Sequence, residues 1–170
     1  MGDEYEVTFL AKDPNASTSA TVAGFLEGVE IVRYFLDTFA EEKQASFALT
    51  VANDVPDGPQ PSLLVEGTSD GNVILQVFAP KEMSPEDEEG WYNVMEPKNH
   101  DSFSERDIST IWQRADRTGM VETRLSEGVL FAKKMYVPVE MALDCVNRLL
   151  EVRDLRTALA DKAWKYVGMI

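Results

Sequence analysis

This chain has one cysteine and one histidine in 170 residues. Cys145 cannot form an internal disulfide. It sits in an apolar helical pattern and reads as a buried, inert thiol, which suits a reducing compartment. A lone histidine, His100, removes the multi-histidine zinc and iron sites, which draw several His or Cys ligands at fixed spacing. No apolar run is long enough to cross a bilayer, and Met1-Gly2-Asp3-Glu4-Tyr5-Glu6 lacks the positive and apolar regions of a secretory signal. Glu6 also stands where a myristoylation motif requires Ser or Thr. The expectation is a soluble, cytoplasmic chain with no membrane partner, no metal and no cofactor.

Positive charge is scarce in one half only. Residues 1–90 hold 18 Asp and Glu against 4 Lys and Arg, a net of −14, while residues 91–170 hold 12 against 12. Such asymmetry speeds encounter with a basic partner and carries no information on fold. It argues against direct nucleic-acid binding, because an isoelectric point near 4.4 repels phosphate. Neither a basic stripe nor a glycine-rich phosphate loop offsets that repulsion.

The length and the 44% hydrophobic content suit one compact domain over residues 1–170. Tyr5, Val7 and Phe9 alternate with Glu4, Glu6 and Thr8, the period of a half-buried strand. A long amphipathic helix is predicted from about Ser19, a good N-cap, to Glu41-Glu42-Lys43. Strands follow at Phe47–Val51, Ser62–Glu66 and Asn72–Ala79, the last two joined through Ser69-Asp70-Gly71. Residues 80–104 lack a clear period and read as an irregular, exposed excursion. A short helix over 105–118 capped by Ser104, a second hairpin over 120–136, a helix opened by Pro138 and a partly helical tail from Asp154 complete the pattern. The predicted class is α+β, a mostly antiparallel sheet packed by two long helices.

Chemistry-bearing patterns are sparse. His100-Asp101-Ser102 places base, acid and nucleophile types side by side, but adjacent residues point apart, and a working triad is assembled across a fold. Glu86-Asp87-Glu88-Glu89 lacks the alternating ligands and central glycine of a calcium loop and reads as a solvated charge run. Trp91 and Tyr92 follow directly. Large aromatics beside carboxylates in a loop are the makings of an interaction hot spot with steering charges, so the candidate partner-binding residues are Glu86, Asp87, Glu88, Glu89, Trp91 and Tyr92. Trp91 also has a plain reading as a core plug beneath a long loop. Trp112, in the expected amphipathic helix with Ile108 and Ile111, reads as core.

Pro61-Ser62-Leu63-Leu64-Val65-Glu66-Gly67 followed by Gly71-Asn72-Val73-Ile74-Leu75-Gln76-Val77-Phe78 resembles the central hairpin of a family of immunity proteins from bacterial polymorphic toxin systems. Val137-Pro138, the helical stretch 139–150 and Trp164 resemble that family's strand, proline-led helix and terminal tryptophan. The chain departs from the pattern in residues 80–120 and in Lys165-Tyr166 after the tryptophan, where the family carries an acidic residue. The resemblance implies a small acidic cytosolic binder that neutralises a toxin domain, often a nucleic-acid deaminase or nuclease.

The function expected is therefore an antitoxin-like protein, not an enzyme, that occludes a basic active site. An acidic DNA mimic directed at a defence nuclease, and a small hydrolase using His100, are the competing readings. The mimic requires carboxylates spaced like phosphates over an extended surface, whereas much of the acid here falls on helix ends and loops.

Overall fold

A computed structural model describes residues 5–11, 18–42, 47–53, 60–67, 72–101, 108–110, 120–122, 129–132 and 135–168. The alternation at the start of the chain forms β1 (Tyr5–Ala11), which pairs antiparallel with β2 (Thr18–Val22). This corrects the helix expected from Ser19. Thr18-Ser19-Ala20-Thr21-Val22 is small and rich in β-branched residues, and β1 offers it a full hydrogen-bonding register, so the helix α1 (Phe25–Glu42) begins only after Gly24.

β3 (Phe47–Ala52), β4 (Ser62–Gly67) and β5 (Asn72–Ala79) form the expected antiparallel meander. The turn through Ser69-Asp70-Gly71 lies outside the described residues. The stretch read as an irregular excursion contains a strand, β6 (Gly90–Val94), lying between β5 and a terminal strand β11 (Trp164–Gly168). β6 escaped detection because Gly90, Tyr92, Asn93 and Val94 are all buried, which erases the alternation that marks a one-sided strand. The tail was expected to be partly helical. It holds the short helix α3 (Leu155–Leu159) and then β11.

Three short strands form a separate antiparallel sheet: β7 (Ile108–Thr110), β8 (Met120–Glu122) and β9 (Val129–Ala132), in the order β7-β9-β8. The helix expected over 105–118 is contradicted at Ile108–Thr110, where β-branched residues pair with Val129–Phe131. Ser104, Trp112 and residues 123–128 of the expected second hairpin lie outside the described residues.

Among the described residues the main sheet runs β11-β6-β5-β4-β3-β1-β2, and β10 (Val137–Pro138) pairs with the start of β5. Pro138 caps α2 (Val139–Val152), whose buried stripe is Val139, Ala142, Cys145, Val146, Leu149 and Leu150. The molecule is thus an α+β domain, an antiparallel sheet packed by two long helices. Register lines up Phe9-Leu49-Val65-Leu75 and Val7-Val51-Leu63-Val77-Tyr92-Tyr166 on the face that α1 and α2 cover. Phe9 stacks on Phe35 of α1 at 5.2 Å, and Gly28 brings α1 so close that a Cβ there would lie 2.6 Å from Val51.

The opposite face is also buried over β4–β6, and it is partly polar. Glu66, Gln76 and Asn93 are at most 3% exposed. The Gln76 amide donates to Asn93 Oδ1 at 3.0 Å, and Asn93 Nδ2 donates to the carbonyls of Val94 at 2.7 Å and Met135 at 3.1 Å. These bonds repay the desolvation of the amides and tie β6 to the segment entering β10.

A braced acidic turn as candidate functional site

The acidic run is a short turn between β5 and β6. A single turn of 3-10 helix over Lys81–Met83 leads to Ser84, which is fully buried. Ser84 Oγ lies 2.6 Å from the Tyr92 hydroxyl, and the Glu86 amide donates to both oxygens, at 3.3 and 3.2 Å. The Asp87 amide donates to the Ser84 carbonyl at 3.0 Å. Asp87 takes a left-handed φ of 60°, a conformation that aspartate tolerates better than most residues.

Two residues far along the chain hold the turn from outside. Arg156 of α3 donates to Asp87 Oδ1 at 2.6 Å and to the Glu82 carbonyl at 3.4 Å. The Asp87 hydrogen bond is the main cause that raises the arginine's pKa. Tyr166 of β11 donates its hydroxyl to the Glu89 carbonyl at 2.9 Å and packs edge-on against Tyr92 at 5.2 Å. Burial raises the Tyr166 phenol's pKa, and the nearby charges of Glu88, Tyr92, Glu86 and Glu89 raise it further. A side chain at Gly90 would meet the Tyr166 ring at 2.7 Å, so a residue without Cβ is required there.

The six predicted residues therefore separate into distinct environments. Glu86, Glu88 and Glu89 are exposed, and Asp87 is exposed but ion-paired. Trp91 is half-buried on the opposite side of β6 from Tyr92, edge-on to Phe78 at 5.6 Å. Tyr92, 2% exposed, is a core residue whose hydroxyl shapes the turn. What the arrangement can do is present three exposed carboxylates from a braced backbone, with a half-buried indole on the other side of β6. A braced backbone leaves only side-chain ordering to be lost on association.

His100 uses Nε2 on the Met95 carbonyl at 2.9 Å, which gives the histidine a structural role, while Asp101 is exposed and Ser102 lies outside the described residues. Among the described residues no three His, Cys, Asp or Glu side chains cluster to hold a metal. The thiol of Cys145 is pushed up to about 12, first by burial and then by the carboxylates of Asp161 and Asp144. No helix among the described residues is long and apolar enough to cross a membrane.

Sequence reasoning missed the braces Ser84, Arg156 and Tyr166, which stand up to 77 positions from the groups they hold and leave no local pattern. Glu66 did carry a signal, a lone carboxylate in the apolar run Leu63-Leu64-Val65-Glu66-Gly67. No protein-family model, curated protein or solved structure matches this chain, so its site is defined by its own geometry.

Proposed function

We propose that this protein is an antitoxin-like immunity protein that binds a basic, nucleic-acid-acting toxin domain in the cytoplasm and neutralises it by occluding its active site. The observation that carries this reading is the braced turn at residues 84–90. It holds Glu86, Glu88 and Glu89 exposed on a scaffold fixed by Ser84, Tyr92, Arg156 and Tyr166. An enzyme acting on nucleic acid presents positive charge to phosphate, and a rigid negative turn complements such a cleft. Trp91 supplies the apolar anchor and the carboxylates supply steering. The protein itself is catalytically silent in this account.

Co-expression with the domain encoded immediately upstream of this gene tests the proposal. Growth is expected to be rescued by the wild type and by His100→Ala, and lost with Trp91→Ala in a folded variant. Loss of rescue with His100→Ala at unchanged melting temperature, or rescue by every variant of residues 86–91, would sink the reading.

A further inference from the structure

On the outer side of the helical layer, remote in function from the acidic turn, α1 and α2 enclose an open groove of about 350 Å³ lined by Arg33, Tyr34, Asp37, Leu143 and Asn147. The helices run antiparallel, since Glu30 reaches Arg153 at 3.9 Å while Arg33 to Asp37 face Leu143 to Asn147. Tyr34 is 69% exposed, the most exposed large apolar side chain among the described residues. Its ring leans edge-on against Phe35 at 5.7 Å, which holds it upright beside the groove. Arg33 and Asp37 stand one helical turn apart, and among the described residues neither has an ion-pair partner, unlike Glu30, Arg148, Arg153 and Arg156.

We infer that this groove is a two-fold interface that takes a second copy of the same chain. A two-fold contact requires that residue i meet j and j meet i. Arg33 and Asp37 satisfy that condition when two α1 helices cross antiparallel near Tyr34. Each arginine then meets the other copy's aspartate, and each Tyr34 ring enters the other copy's groove against Leu143 and Asn147. The exposed ring and the groove beside it are a knob and a hole on one surface. α1 and α2 measure ~27 and ~21 Å in length and about 20 Å across together, which gives on the order of 1,000 Å² buried in total. That lies at the small end of specific interfaces. A net charge of −14 on each copy opposes association further, so the dimer is weak.

Sedimentation equilibrium over a wide protein concentration range tests this on the full chain, with folding of each variant checked by circular dichroism. The wild type should show a monomer–dimer equilibrium. Arg33→Asp, Asp37→Arg and Tyr34→Ala should each weaken it at least ~10-fold, and the double variant Arg33→Asp/Asp37→Arg should return to within ~3-fold of wild type. Lys81→Asp makes the same charge change as Arg33→Asp at an exposed position elsewhere and should leave the equilibrium nearly unchanged. A monomer at every concentration, a dimer indifferent to all of these changes, failure of the double exchange to restore it, or equal weakening by Lys81→Asp would each overturn the inference.

Discussion

Glu66 is 2% exposed, and burial pushes its carboxyl from 4.5 up to about 7. The raised value means that the folded state favours the protonated acid. Its contribution to stability is then fully present below 4.5 and is lost as pH rises through about 7. Glu66→Gln keeps the shape and removes the titration. Between pH 5 and 8 the wild type should lose up to ~3 kcal/mol more stability than Glu66→Gln, read from urea midpoints. Parallel pH profiles would refute the assignment. Tyr92 acts on the turn through one atom. Tyr92→Phe leaves the ring in the core but strips Ser84 Oγ and the Glu86 amide of a partner, at a cost of ~1–2 kcal/mol in a chemical melt. Trp91→Ala, by contrast, removes a half-buried ring on the other side of β6. Its loss of stability should stay below the 3–5 kcal/mol typical of a fully buried aromatic.

At the scale of elements, α1 sits close to the sheet because residue 28 has no side chain. Alanine is the better helix former by ~1 kcal/mol, yet a Cβ there would press on Val51 and Val7, so Gly28→Ala should destabilise by ~1–3 kcal/mol overall. A thermal shift upward would contradict that packing. The elements legible in the sequence are those whose pattern is one-sided: Tyr5, Val7 and Phe9 in β1, and Ala142, Cys145, Val146, Leu149 and Leu150 in α2, where the sequence pattern also suggests Met141 but the buried stripe takes Val139 instead. β6 was hidden because burial on both faces removes the period, and because Asn93 in its middle reads as a turn residue until its amide partners are known. β2 was hidden because the helical spacing of α1 extrapolates backwards through Val22, while pairing with β1 is a long-range fact. The carboxylates of the candidate site were visible as a run. The bracing of the turn that carries them was not, since it depends on Arg156 and Tyr166 arriving from the last elements of the chain.

For the whole molecule, the proposed function depends on charge placed to act before contact. The net −14 of residues 1–90 steers, and the braced turn fixes where part of that charge is presented. Steering acts on the rate of association and is screened over a Debye length of about 8 Å at physiological salt, while buried contacts govern the rate of dissociation. Individual exposed carboxylates contribute only about 0–1 kcal/mol, so Glu88→Ala alone should change affinity only a few-fold. The most direct measurement is stopped-flow association with the upstream-encoded domain for the wild type and for Glu86→Gln/Glu88→Gln/Glu89→Gln. The account predicts that the triple change slows association at least ~10-fold at low salt and leaves dissociation nearly unchanged, with the difference vanishing near ~0.5 M salt. Equal association rates for the two proteins at low salt, or no binding by the wild type, would contradict it.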